Sequence, residues 1–255
     1  MELARTVFIG VDIVSGRRGF TYAAFGLERQ LLALCQGDLK EIAAFTAGQS
    51  AAFAAIATPQ APNKGLLANP APQEGLFPLP EVRPAPMRCA EQELMQRGMV
   101  TTKTPGSVDA CPAWMRQGFE LYRHLISLGY QPYPSEDAPR QYLETPPEAV
   151  FASLLGVAPF PAGTLESRLQ RQLVLYEHNL PVKDSMHFLE EVTRHRLLKS
   201  ILPLEHIHTC AELNAMSLAY TAWLAATQPT QVIRLGDPHE GEIVLPTTKT
   251  AVLHG

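Results

Sequence analysis

The first 57 residues carry the pattern that most constrains the fold. Residues 6–13, Thr-Val-Phe-Ile-Gly-Val-Asp-Ile, form an apolar run rich in Val, Ile and Phe, the composition of a buried strand. A turn at Ser15-Gly16-Arg17-Arg18-Gly19 leads into a second strand from Phe20 to Leu27, and Gln30 to Cys35 predicts a third. Gln36-Gly37-Asp38 then breaks the pattern. Asp38 is placed to cap a helix that begins at Leu39-Lys40-Glu41-Ile42. Ala51 to Ala57 is a fourth apolar segment, closed by Thr58-Pro59. Three strands joined by short turns make an antiparallel meander, and a strand reached through a helix is delivered parallel by a crossover. The expected class is therefore α/β: a mixed sheet flanked by helices. A chain of 255 residues can bury one sizeable core, so residues 1–255 are read as a single domain.

The composition changes after the fourth strand. Eight prolines fall between Pro59 and Pro86, too many for regular structure. Residues 59–110 therefore read as a loop-rich insertion, and 59–86 as a lid over the strand ends. Beyond Pro86, helices are expected at Met87–Met99, Cys111–Leu128, Pro147–Leu155, 164–178, 184–199 and 209–227. Short strands are expected near 129–133, at Gln141-Tyr142-Leu143, at Val232–Leu235 and at Glu242–Leu245.

Three acids stand where elements end. Asp12 closes the first apolar run, Glu144 follows Gln141-Tyr142-Leu143, and Glu212 opens the apolar stretch Leu213 to Ala226. Strand and helix ends converge in an α/β fold, and converging carboxylates repel unless a cation lies between them. Mg²⁺ or Mn²⁺ is the expected cofactor, with phosphodiester chemistry as the usual reason for such a site. The net charge of −4 supplies no global positive field for nucleic acid, so binding would require a local groove. Cys35, Cys89, Cys111 and Cys210 form no CxxC pair, which predicts buried thiols in a reducing, cytoplasmic setting. No apolar run reaches the roughly 18 residues of a membrane span, and the N-terminus lacks a signal-peptide pattern. Oligomeric state is not readable from the chain.

Six motifs in a fixed order resemble one family. They are Val11-Asp12, Ala57-Thr58-Pro59-Gln60-Ala61-Pro62, Arg88-Cys89-Ala90-Glu91-Gln92-Glu93-Leu94 with Arg97-Gly98, and Leu143-Glu144-Thr145-Pro146-Pro147. Then come Ala211-Glu212-Leu213-Asn214-Ala215 and Gly236-Asp237-Pro238-His239-Glu240-Gly241. Together these look like the "domain of unknown function 429" family of predicted nucleases. With the Pro-rich insertion after the fourth strand read from composition, the resemblance implies a ribonuclease-H-like sheet with an acidic site at the strand ends. It also implies a metal-dependent site of Asp12, Glu144 and Glu212 as catalytic and metal-binding acids. The chain departs from the family at Thr58, where an Asp is usual. A hydroxyl brings no charge, so the departure weakens the metal site. The alternative is a non-catalytic relative that binds nucleic acid or protein. A phosphotransferase of the sugar-kinase and actin type ranks last, because the turns after the first and fourth strands lack the glycines that cradle phosphate.

Arg88, Glu91 and Thr58 are the expected substrate-contacting residues. The plain alternative for Arg88 and Glu91 is a surface ion pair one helical turn apart. His206-Ile207-His208-Thr209-Cys210 alternates as a strand would and has the residue types of a metal site, but no second cluster supports it. His187 and His195 are expected on a helix surface. Tyr130, Tyr133 and Tyr142 suit core packing better than base stacking.

Overall fold

The computed structural model describes residues 3–13, 19–67 and 87–247. The first strands are β1 (Val7–Ile13), β2 (Phe20–Phe25) and β3 (Leu31–Gly37), followed by helix α1 (Leu39–Ala47) and β4 (Ala52–Ile56). Asp38 caps α1 through a full capping box: its carboxylate accepts from the N–H groups of Lys40 and Glu41, and Glu41 returns to the N–H of Asp38. Helices α2 (Cys89–Gln96) and α3 (Ala113–Ser127) come next, then β5 (Gln131–Pro132), β6 (Arg140–Glu144), α4 (Pro147–Leu155) and α5 (Leu165–Glu177). The chain continues through α6 (His187–Glu191), α7 (Arg194–Leu198), α8 (Cys210–Thr227), β7 (Val232–Asp237) and β8 (Gly241–Pro246).

These strands form one sheet in the order β3-β2-β1-β4-β6-β8-β7, with β5 added beside β6. The β1–β2, β2–β3 and β7–β8 pairs are antiparallel, while β1–β4, β4–β6 and β6–β8 are parallel. The meander and the helical crossover expected from the first 57 residues are both present.

The sheet is covered on both faces. On one side Phe8, Phe53, Ala55 and Leu143 pack against α8 and α4. On the other, Ile9, Val11, Ile56 and Tyr142 pack against α1 and α3 through Ile42, Leu121 and Tyr122. Helix α8 is buried along most of its length, as an all-round apolar helix must be. It lies close on β1 because Gly10 has no side chain: a Cβ there would sit 2.0 Å from the Ala215 carbonyl and 2.2 Å from the Ala219 amide.

Three sequence expectations need correction. Residues 184–199 form two short helices instead of one, because Thr193 leaves helical geometry and caps α7 by accepting from the N–H of Arg196. His206-Ile207-His208 is not a strand: His206 ends a 3-10 turn and Thr209 caps α8. Of the thiols only Cys111 is buried, and Cys35 is exposed. The turn at Ser15-Gly16-Arg17-Arg18 and the lid segment 68–86 lie outside the described residues.

Candidate functional site

Strand alternation decides what the acids can do. Val11 packs on the α1/α3 face, so its neighbour Asp12 points, like Gly10, to the α8 face. In register, Val11 lies beside Ile56 and Ile56 beside Glu144. Adjacent residues of paired strands share a face, so Glu144 points to the α1/α3 face. The expected convergence of Asp12 and Glu144 therefore fails by one residue of parity. Both still line one cleft of about 340 Å³ at the C-terminal ends of the strands, with Thr58, Arg88, Trp114 and Glu148.

Asp12 is 9% exposed. Its carboxylate accepts a 3.2 Å hydrogen bond from the side-chain amide of Asn214, and no ion pair to it occurs among the described residues. Burial raises its pKa from 3.8 to about 6, against the Asn214 bond and the more distant charge of Arg171, while Glu148 adds to the rise. This is a carboxylate that the fold charges only at a cost.

Glu148 lines the same cleft, and Arg171 is bonded to it from the protein interior. Glu148 stands in the first turn of α4, behind Pro146-Pro147, with both oxygens 2.7 and 2.8 Å from Nη2 of Arg171. The Arg171 side chain is fully buried and Glu148 is 40% exposed. The guanidinium also donates to Asn214 Oδ1 at 2.8 Å and to Ser167 Oγ at 2.9 Å, and it lies 4.7 Å over the ring of Phe151. Asp12, Asn214, Arg171 and Glu148 thus form one connected polar chain. Sequence inspection missed the last three. The signal for Arg171 was present: it sits four residues before Leu175 on the buried stripe of α5, where a charge needs a partner.

Glu144 is committed elsewhere. Its two oxygens accept from Nη1 and Nη2 of Arg88, the first at 2.9 Å, and Oε2 also accepts from the N–H of Gln60 at 3.0 Å. Arg88 donates through Nε to Glu91 at 2.9 Å, and Glu91 accepts from the N–H and hydroxyl of Thr104. Arg88 and Glu91 are each 1% exposed, so this is a core network and not a surface pair. Burial opposes the charge on Arg88, but Glu144 and then Glu91 more than offset it and hold its proton above the ordinary arginine range. Burial pushes the Glu144 carboxyl up while Arg88 restrains it. Arg88 orients an acid: its Nε, Nη1 and Nη2 each donate to Glu91 or Glu144.

Glu212 is likewise occupied. It is the third helical residue of α8 and closes a capping box, accepting from the N–H of Thr209 at 2.7 Å. Residues two apart on a helix point roughly 200° apart. Asn214 meets Asp12, so Glu212 projects away from it, toward His208 at 3.6 Å. Thr58 is fully buried against Gly118 of α3, and its hydroxyl has no hydrogen-bond partner among the described residues. The predicted trio is not one site.

The described part of the insertion does lie at the strand ends. Lys64 donates its backbone N–H to Glu240 Oε1 at 2.9 Å, and Asn63 donates to the Pro105 carbonyl at 3.0 Å. Tyr130 and Tyr142 are core residues. His187 is on the surface beside Glu190. Glu191, Glu205 and His206 lie close enough to share a cation, but Arg196 already pairs with Glu191, and His206 contacts Lys183. Among the described residues no helix is long and apolar enough to cross a membrane. No protein-family model, no curated protein and no solved structure matches the chain.

Proposed function

We propose that the chain is a metal-dependent hydrolase of nucleic-acid phosphodiesters built on a ribonuclease-H-like sheet. One observation carries this. Asp12, near the C-terminal end of β1, keeps a buried carboxylate with no ion pair among the described residues, in a cleft it shares with Glu148. The strand order β3-β2-β1-β4-β6 supports the fold assignment, as does the resemblance to the domain of unknown function 429 family.

Asp12, Glu144 and Glu212 do not fit a shared cation, because Arg88 takes both oxygens of Glu144 and Glu212 caps a helix. Asp12 and Glu148 fit better: both line the cleft, and Asp12 has no ion pair among the described residues. Glu148, although Arg171 bonds both its oxygens, is 40% exposed where Glu144 is buried, so each offers the carboxylate oxygen that Mg²⁺ and Mn²⁺ prefer. A divalent cation there would polarise a phosphate oxygen and activate water. Asn214 holds Asp12 in place, and Arg171 fixes Glu148 while linking it to Asn214.

A second function, a non-catalytic binding relative, is favoured by a specific pair of facts: Arg88 neutralises Glu144, and Thr58 stands where the family carries an acid. Calorimetric Mn²⁺ titration of wild type, Asp12→Asn and Glu148→Gln separates the two, with cleavage assays on single-stranded, duplex and hybrid substrates. The hydrolase reading expects Mn²⁺ binding and cleavage by wild type, both lost in Asp12→Asn. Equal Mn²⁺ affinity in Asp12→Asn, with no cleavage by any form, leaves the non-catalytic relative.

A further inference from the structure

The cleft does not stop at Glu148. A second hollow of about 700 Å³ continues from it, and Glu148 and Val100 stand in the walls of both. That volume lies in the range that small ligands fill. Its walls are the segment after α2, one side of α4, and the loop 156–161, with Ile233 and Pro246 from the last two strands. The surface is apolar, and it is left open: Val100, Val157 and Phe160 are 80%, 62% and 51% exposed. Exposed apolar groups that line one hollow need a reason that scattered ones do not.

Phe160 supplies one. It lies between Pro159 and Pro161, whose rings restrict the backbone on both sides. Its N–H donates to Oε1 of Gln170 on α5 at 2.8 Å. An aromatic ring held on a stiffened loop, half open to solvent, is a stacking platform. Arg97 is the one cation among the described residues lining this hollow, and it is shared with Glu93 at 3.5 Å. The hollow is therefore suited to a flat, weakly polar group and not to a phosphate.

We propose that this hollow is the subsite for an unpaired nucleobase next to the reacting phosphodiester, which makes the substrate a single-stranded nucleic acid. The inference rests on the hydrolase reading above. A phosphate at Asp12 and Glu148 puts the neighbouring nucleotide at the shared wall. Its base enters the hollow and stacks on Phe160, a contact open to any base because each has a π face. A base inside a duplex has both faces stacked and its edge paired, so a duplex cannot enter without being opened. The net charge of −4 also disfavours the dense charge of a duplex over that of one strand.

The test is equilibrium binding in Mg²⁺ to strands with uncleavable phosphonate linkages, so that the cation site is filled and cleavage plays no part. The probes are a single-stranded oligodeoxynucleotide carrying 2-aminopurine, and the same strand annealed to its complement. Wild type is expected to bind the single strand and quench the 2-aminopurine, and to bind the duplex more weakly. Phe160→Ala is expected to weaken single-strand binding about tenfold and remove the quenching, as loss of one stacked base does. Phe160→Trp keeps both. No binding by wild type, equal binding of the duplex, or Phe160→Ala with unchanged affinity and quenching would each overturn the subsite. The two proposals fail separately. Stacking that depends on Phe160, with no cleavage in Mn²⁺, sinks the hydrolase and keeps the subsite. Cleavage that ignores Phe160 does the reverse.

Discussion

Asp12→Asn should make the protein more stable at neutral pH. Burial lifts the Asp12 pKa from 3.8 to about 6, so the native state resists the charge that the unfolded chain accepts freely. The penalty is absent below pH 3.8, grows as pH rises, and is complete above pH 6. At roughly 1.4 kcal/mol per pH unit, the gap between 3.8 and about 6 amounts to about 3 kcal/mol. Asparagine keeps the shape, can still accept from Asn214 through its carbonyl, and carries no charge. The variant should therefore gain about 3 kcal/mol over wild type at pH 7.5, or roughly 6–12 °C in Tm for a domain of this size. At pH 4 the two should be nearly equal. Urea unfolding of both proteins at pH 4, 5, 6 and 7.5 in EDTA measures the difference directly, and titrations common to both cancel. A difference that stays flat across that range would refute the reasoning. Mn²⁺ supplies the converse check. It binds the ionised carboxylate, so its affinity should rise about tenfold per pH unit below pH 6 and level off above it.

Arg88→Met leaves Glu144 and Glu91 facing each other in the core and should cost about 3–5 kcal/mol, read by urea unfolding. Thr58→Val removes a buried hydroxyl that has no partner among the described residues and should gain about 1 kcal/mol in the same assay, whereas Thr58→Asp buries a charge against Gly118 and should destabilise. Glu212→Gln weakens the cap of α8, costing at most about 1 kcal/mol in Tm measurements, and should leave Mn²⁺ affinity unchanged by calorimetry. Had Glu212 been a ligand, that affinity would fall.

Local features were readable without coordinates wherever short-range physics sets them. The meander, the crossover helix and its Asp38 cap all follow from apolar period, turn residues and a side chain three positions from its partner. Asp12 was legible for the same reason: an acid inside an apolar strand is anomalous on sight. Glu144 and Glu212 were also found at element ends, but their roles were misread. Whether two strand-end acids meet depends on pairing register, because side chains alternate faces and one residue of parity puts Asp12 toward α8 and Glu144 toward α3. Whether Glu212 or Asn214 meets the sheet depends on how α8 is rotated, which Gly10 and the close approach of Ala215 and Ala219 decide. Arg88 looked like a surface residue because its partner Glu144 lies 56 positions away, and only folding joins them. Sequence determined which segments became strands and helices. Tertiary structure alone decided which charges share a face, because register and helix rotation are set by contacts between residues far apart in the chain.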